Sequence, residues 1–127
     1  MAIAGIGTDI VRVERFREFL KMGKTGIIER IFTPEERAYA LGKKDPATHL
    51  SARFAAKEAF LKALGLGLRE GVHWRDIEVR NDALGKPSLF FGGRAAEIIA
   101  ERNLGNVQLS YSHEREYAVA MVTVEMV

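Results

Sequence analysis

The stretch HLSARFAAKEAFLKAL, residues 49–64, decides how this sequence is interpreted. It contains neither proline nor glycine and is rich in strong helix formers, so it predicts the central helix of the fold. At 100° per residue, large apolar side chains lie on one side of this helix and alanines cover most of the other. The large side chains are those of Leu50, Phe54, Phe60, Leu61 and Leu64. Because both sides are apolar, we expect the helix to pack between layers and to keep only a narrow polar edge.

Four charged residues of the helix have two kinds of setting. Glu58 and Lys62 are four residues apart on the polar edge, where they form either an ordinary solvated pair or a shared ligand site. Arg53 and Lys57 fall within the apolar stripe, where an unpaired charge costs several kcal/mol, on the order of the penalty for any buried ion. We therefore expect both cations to have a partner or a ligand.

The rest of the chain alternates short strands and helices. Residues 2–9 alternate as in a strand, and the sequence Thr33-Pro34-Glu35-Glu36 predicts a capping box at the start of a helix that ends near Leu41. Further strands are predicted at 77–80, 87–91, 107–112 and 117–124, and further helices at 13–20 and 94–103. The strand 117–124 is apolar enough to be buried on both faces, and residues 112–116 before it read as an exposed turn. This order favours an α+β fold with an antiparallel sheet packed on the central helix.

Composition restricts the class of protein. The chain has 127 residues, 47% hydrophobic and 28% charged, which predicts a single globular domain over residues 1–127. No apolar run approaches the roughly 20 residues of a membrane span, and no secretory signal is present, so we expect a soluble cytoplasmic protein. The absence of cysteine excludes thiolate metal sites. A net charge of +2 is too small to indicate nucleic-acid binding, but it suits a phosphate-rich ligand or an acidic protein.

Asp9 follows a glycine-rich strand just before a predicted helix. It is either the N-cap of that helix or, if it meets Glu58 in space, half of a carboxylate pair of the kind that Mg²⁺ prefers. Lys57, Lys62 and the loop Gly65-Leu66-Gly67 would then supply cations and bare backbone amides for a pyrophosphate. The sequence contains no P-loop motif.

Two further segments have open interpretations. His113 lies in the predicted turn 112–116, where a histidine is either simply solvated or directed at a ligand. Ser112 beside it does not indicate a hydrolase triad, because adjacent residues rarely face each other and no nucleophile elbow is present. Gly85, Lys86 and Pro87 are typical of a hairpin turn.

Five motifs in order make the chain similar to a known family. They are GIGTDI (5–10), FTPEE (32–36), RFAAKEA (53–59) with Lys62, GKP (85–87) and SYSH (110–113). With them the chain resembles the holo-[acyl-carrier-protein] synthases, the small, single-unit type of 4'-phosphopantetheinyl transferase. The resemblance implies that coenzyme A donates 4'-phosphopantetheine to a serine of apo acyl carrier protein and releases adenosine 3',5'-bisphosphate. It also implies Mg²⁺, a role in fatty acid biosynthesis, and a homotrimer with active sites between subunits.

The resemblance also implies roles for individual residues. Asp9 and Glu58 match the metal-binding carboxylates, and Lys62 matches the lysine expected near the pyrophosphate. Arg53 and Lys57 would contact coenzyme A phosphates or support the metal ligands. The remaining residues implied to bind coenzyme A are Gly65, Gly67, Gly85, Lys86, Pro87 and His113.

Other roles stay open at this point. Glu114, the residue after His113, is a candidate proton acceptor. Arg12, Arg15, Lys21 and Lys24 offer a basic surface to an acidic carrier protein, and Arg15 matches the docking arginine of the family best. The alternatives are a non-catalytic module that binds acyl carrier protein or coenzyme A, and a Mg²⁺-dependent nuclease or phosphatase that uses Asp9 and Glu58.

Overall fold

The computed structural model describes residues 2–127, so Met1, the first residue of the predicted domain, lies outside the described residues. Its strands are β1 (Ile3–Arg12), β2 (Ile77–Asn81), β3 (Pro87–Phe91), β4 (Leu104–His113) and β5 (Tyr117–Met126). Its α-helices are α1 (Glu14–Lys21), α2 (Thr25–Ile31), α3 (Pro34–Leu41), α4 (Pro46–Ala63) and α5 (Gly93–Glu101), with a 3₁₀ turn at Trp74–Asp76. No helix within residues 2–127 is long and apolar enough to cross a lipid bilayer.

Two antiparallel sheets build the fold. The larger has the strand order β1-β5-β4, and the hairpin β2-β3 forms the smaller. The central helix α4 packs across one face of the larger sheet, which confirms the predicted α+β arrangement. Most of α4 is buried, including the alanines and large apolar side chains predicted for its two sides, except that Ala63 and the C-cap residue Leu64 are half-buried.

Strand β5 is buried on one face only. Ala118, Ala120 and Val122 point to the interior, whereas Val119 and Met121 are exposed on the opposite face. The prediction that this strand is buried on both faces is therefore wrong for a single chain. Its exposed side chains are as apolar as many core residues, which is why the sequence did not distinguish the two faces.

Glycines bring β1 into direct contact with α4. A Cβ atom at Gly5 would overlap the carbonyl oxygen of Ala63, and one at Gly7 would overlap the carbonyl oxygen of Ala59. Only glycine fits at these two positions, and small alanines on the helix allow the same close approach. The strand backbone therefore runs close beside the polar edge of the helix.

The structure extends and corrects several predicted elements. The capping box of α3 is present, because the Thr33 hydroxyl accepts from the Glu36 backbone N–H and the Glu36 carboxylate accepts from the Thr33 N–H. The helix predicted at 13–20 is present as α1, which ends at Lys21, but a further helix, α2, begins at Thr25. This seven-residue helix contains a glycine and has no side-chain cap, so it carries little local sequence signal. The exposed turn is confined to residues 114–116, because β4 includes Ser112 and His113.

Candidate active site

Asp9, Glu58 and Lys62 come together where β1 passes the polar edge of α4. Lys62 Nζ donates to Asp9 Oδ1 at 2.8 Å and to the Thr8 carbonyl oxygen at 3.1 Å. Asp9 lies inside β1, three residues before the strand ends at Arg12, and the N-cap of α1 is Val13. The helix-capping interpretation of Asp9 is therefore wrong, and its carboxylate is available to the neighbouring α4 edge.

Glu58 is half-buried beside this pair. Burial raises the pKa of the Glu58 carboxyl, and the negative charge of Asp9 raises it further, while Lys62 and Arg15 act in the opposite direction. The hydrogen bond to Asp9 raises the pKa of Lys62. The Asp9 and Glu58 carboxylates repel each other, so a cation bound by both would stabilise their ionised forms.

The donor set fits Mg²⁺. Within residues 2–127, no group of three or more acidic or imidazole side chains could hold a metal ion by itself. Mg²⁺ commonly takes one or two protein carboxylates and fills its other positions with water and substrate phosphate. Asp9 and Glu58 match that pattern, because they supply oxygen ligands from two elements, β1 and α4.

Lys57 has a different position from its neighbour Glu58. Its side chain is 0% exposed, and Nζ donates to Glu36 Oε1 at 2.7 Å, to the Ile31 carbonyl at 2.7 Å and to the Trp74 carbonyl at 3.2 Å. Burial lowers the pKa of Lys57, and the charge of Glu36 opposes that shift. With all three donors bound inside the protein, Lys57 does not reach a ligand, so the prediction that it contacts coenzyme A is corrected. Its other predicted role, supporting the metal ligands from within, fits this position.

Glu36 is a partner that the sequence predicted only as a capping residue. Besides Lys57 and the Thr33 N–H, its carboxylate accepts from the Val79 backbone N–H at 2.9 Å, which joins α3 and α4 to strand β2. The only sign of the Lys57–Glu36 ion pair in the sequence is that a lysine within an apolar stripe needs a counter-charge.

Arg53 lies about one and a half turns before Glu58 on α4. It is the centre of a second polar cluster, which also contains Tyr39, His49, Asn81 and His113. The Arg53 side chain is 1% exposed and stacks on the Tyr39 ring, with the guanidinium carbon 4.1 Å from the ring centre. Nη2 donates to Asn81 Oδ1, whereas Nε and Nη1 are buried and have no hydrogen-bond partner among the described residues. A buried cation without a counter-ion is costly, which makes Arg53 a candidate partner for an anionic ligand.

Two histidines belong to this cluster. The rings of His49 and His113 are 5.3 Å apart, and His49 also contacts Tyr39 edge-on at 5.8 Å. Burial lowers the pKa of His49, and the charges of His113, Arg53 and Lys43 lower it further. His113 is exposed at the end of β4, as a ligand contact requires. Tyr39 and His49 were not predicted from the sequence, because nothing local links them to Arg53.

The predicted loops have the backbone conformations that glycine favours. Gly65 and Gly67, which follow Lys62 at the end of α4, have φ angles of +71° and +122°. Gly85 has a φ of +89° in the turn between β2 and β3, and Lys86 beside it is exposed. The two loops lie at different parts of the molecule. The Gly65–Gly67 loop follows Lys62, which binds Asp9, whereas Gly85 is bonded to Asn81, which in turn binds Arg53.

The basic side chains predicted to meet a partner are exposed on α1 and just after it. Arg15 on α1 is exposed and lies over the Phe54 ring at 5.4 Å, close enough to Glu58 to influence its pKa. Lys21 and Lys24, at the end of α1 and just beyond it, are exposed as well.

Comparison with known proteins shows the family to which the chain belongs. The 4'-phosphopantetheinyl transferase superfamily matches residues 5–122, nearly the whole chain. The chain belongs to this superfamily. Within it, the chain is a transferase related to the holo-[acyl-carrier-protein] synthases. The holo-[acyl-carrier-protein] synthase of Syntrophotalea carbinolica is 53% identical over 123 residues, which cover 97% of this chain and 96% of the relative.

Solved structures of this transferase type have the same fold. A crystal structure of the holo-[acyl-carrier-protein] synthase from Neisseria meningitidis superposes with a TM-score of 0.88 at 41% identity and covers 97% of this chain and 98% of its own. The synthase from Bacillus anthracis, solved in complex with CoA (3',5'-ADP), has a TM-score of 0.81 at 40% identity, with 100% of each chain covered.

Proposed function

We propose that this protein transfers the 4'-phosphopantetheine group of coenzyme A to a serine of apo acyl carrier protein. The observation that carries the proposal is the group of Asp9, Glu58 and Lys62 at the contact of β1 with α4. It supplies two carboxylates and a cation at one place, as a pyrophosphate-cleaving transferase requires. The superfamily match over residues 5–122 supports the same reaction, carried out by one transferase domain spanning residues 1–127.

Asp9 and Glu58 would hold Mg²⁺ in this proposal. The ion, when bound, supplies positive charge to offset the negative charge that develops on the pyrophosphate. Burial and the negative charge of Asp9 raise the pKa of Glu58, and a bound cation would offset both effects.

Lys62 stabilises the leaving group. Its side chain is 53% exposed, so Nζ reaches beyond Asp9 to a phosphate oxygen without leaving the site. In the transfer, the serine oxygen forms a bond to the phosphorus that bears pantetheine, and the bond from that phosphorus to the bridging oxygen breaks. Adenosine 3',5'-bisphosphate leaves with the bond's electrons, and the serine gives up its proton to a base. Alignment and charge neutralisation account for most of the acceleration in such reactions.

The polar cluster around Arg53 would bind the nucleotide part of coenzyme A. Two buried donors of Arg53 have no partner within residues 2–127, and the exposed His113 contacts His49, which is near Arg53. We assign the 3'-phosphate or the adenine end to this cluster. The loops at Gly65–Gly67 and at Gly85, Lys86 and Pro87 would shape the nucleotide site.

An acidic carrier protein would dock on the surface formed by Arg15, Lys21 and Lys24. All three are exposed and have the charge opposite to that of the partner. Arg15 also adjoins Glu58, so a carrier bound there would present its serine near the metal ligands. Electrostatic attraction of this kind accelerates association and fixes orientation.

The outer face of the larger sheet supports a homotrimer with sites between subunits. Ile6, Ile10 and Met121 are 64%, 65% and 49% exposed on that face, and Val119 and Tyr117 lie beside them. An exposed apolar face of this kind is typical of a subunit interface. We propose that the trimer works in the cytoplasm in fatty acid biosynthesis, without a nucleic-acid or membrane partner.

Intact-mass spectrometry of apo acyl carrier protein, incubated with coenzyme A, Mg²⁺ and this protein, tests the proposal. We expect the carrier to gain the mass of one phosphopantetheine group, and to gain nothing when Mg²⁺ or coenzyme A is omitted. Binding of the carrier without a mass increment would favour a non-catalytic module instead. Hydrolysis of nucleotides or nucleic acid in the absence of a carrier would favour a Mg²⁺-dependent nuclease or phosphatase.

A further inference from the structure

Asn81, the last residue of β2, links three parts of the molecule. Its Oδ1 accepts from Arg53 Nη2, and its Nδ2 donates to the Gly85 carbonyl at 3.0 Å and to the Tyr111 hydroxyl at 3.0 Å. We propose that Asn81 is a positioning residue that sets the affinity for coenzyme A by holding Arg53 and the 82–86 turn in one arrangement. This inference rests on the proposed function, because it takes Arg53 and the turn as parts of the nucleotide site.

The three contacts require an amide at position 81. Arg53 has only donors, so the atom that faces it must be an acceptor. The Gly85 carbonyl has only acceptor capacity, so the atom that faces it must be a donor. An asparagine side chain meets both demands in a single orientation, whereas an aspartate keeps the contact with Arg53 and loses the donors.

Asn81 and Tyr39 together define where the Arg53 guanidinium lies. The guanidinium carbon of Arg53 lies 4.1 Å from the centre of the Tyr39 ring, so the ring covers one face of the guanidinium. Asn81 Oδ1 accepts a hydrogen bond from Nη2 of the same group. Nε and Nη1 are buried and have no hydrogen-bond partner in the described part of the chain. A guanidinium fixed on its face and at one nitrogen keeps its other donors in a constant direction, which lowers the entropy lost when an anion binds.

The turn is ordered internally and then tied to the fold by Asn81. Asp82 Oδ1 accepts from the backbone N–H groups of Leu84 and Lys86 at 2.8 and 2.9 Å, and Gly85 supplies the left-handed residue with a φ of +89°. These bonds fix the shape of the turn but not its position relative to α4. The Asn81 amide supplies that connection, since one side chain bonds both Gly85 and Arg53.

The test is steady-state kinetics of Asn81→Asp with coenzyme A and carrier protein varied in turn. The hydrogen bond to the Gly85 carbonyl is lost and a negative charge is added where an anion is to bind, which predicts a rise in the KM for coenzyme A of about five- to thirtyfold. We expect the KM for the carrier and kcat to stay within about twofold, because no metal ligand or docking residue changes. Calorimetric titration with adenosine 3',5'-bisphosphate should show a parallel loss of affinity without any carrier present.

Two further variants separate charge from geometry. Asn81→Ser is neutral and too short to keep any of the three contacts, so it should raise the KM for coenzyme A without an added charge, and it remains informative if the aspartate variant does not fold. Tyr111→Phe removes one acceptor from Nδ2 and should have a smaller effect. Asn106→Asp, the same substitution at an exposed position of β4, is the matched control and should match the wild type.

An unchanged KM for coenzyme A in folded Asn81→Asp and Asn81→Ser would overturn the inference. Similar changes in all three constants, that is, a rise in both KM values and a fall in kcat, would also overturn it, because they indicate a general structural role. If the wild-type protein itself adds no phosphopantetheine to the carrier, the proposed function fails, and this result is distinct from either outcome for the variants.

Discussion

Replacement of Lys57 by methionine should destabilise the fold strongly although it removes only one charge. The side chain has nearly the same length, so little cavity forms, but Glu36 keeps a buried negative charge with only the Thr33 and Val79 N–H groups as donors. Removing one partner of a buried pair costs about 3–5 kcal/mol. The carbonyls of Ile31 and Trp74 lose a donor as well, so we expect the upper part of that range.

Urea unfolding followed by the fluorescence of the single tryptophan, Trp74, measures this effect. Because the protein is proposed to be oligomeric, the variants must be compared at one protomer concentration. For a chain of this size, about 3–5 kcal/mol corresponds to a decrease in Tm of roughly 10–20 °C.

Lys62→Met is the matched control for this prediction. It makes the same substitution on the same helix, but the Lys62 side chain is 53% exposed. An exposed ion pair contributes up to about 1 kcal/mol to stability, so this variant should keep most of its stability. It should lose transfer activity, because Lys62 is the cation proposed to stabilise the leaving group. The double variant Glu36→Gln, Lys57→Met should recover part of the lost stability, since it removes the unpaired charge. A loss below about 1 kcal/mol in Lys57→Met would refute the argument that the buried pair constrains the fold.

Three further predictions concern activity and assembly. Asp9→Ala and Glu58→Ala should each abolish transfer and leave the urea midpoint nearly unchanged, and normal turnover of either variant at saturating coenzyme A would contradict the metal assignment. Arg15→Glu should raise the KM for the carrier at least about tenfold and change the KM for coenzyme A little, since charge reversal acts on docking; equal changes in both constants would reject Arg15 as a docking residue. Ile10→Asp should shift the protein from trimer to monomer in analytical ultracentrifugation, because it places a charge on the apolar sheet face, and an unaltered trimer would remove that face from the proposed interface.

Elements with a local signal were predictable from the sequence. The central helix, the capping box at Thr33 and the hairpin around Gly85 all depend on neighbouring residues, and the structure has them close to the predicted bounds. Helix α2 was missed, because its stability comes from burial of Ile28 and Ile31 and not from capping or composition.

Contacts between distant residues were much harder to predict. The sequence required some partner for Lys57, but it did not indicate Glu36, which is 21 residues away and has a capping role of its own. The location of Asp9 was ambiguous for a related reason. Whether it caps a helix or faces α4 depends on how far β1 continues, and pairing with β5 extends the strand to Arg12.

The burial of Lys57 also constrains its neighbour Glu58. Consecutive residues on a helix are separated by 100°, so the direction of one side chain determines that of the next. Rotation of α4 about its axis would move Glu58 relative to Asp9, but it would also pull Lys57 Nζ away from Glu36 and from the carbonyls of Ile31 and Trp74. The buried ion pair therefore resists the rotation that would disperse the two carboxylates. Through this coupling, an interaction inside the protein fixes the orientation of a side chain at the candidate active site.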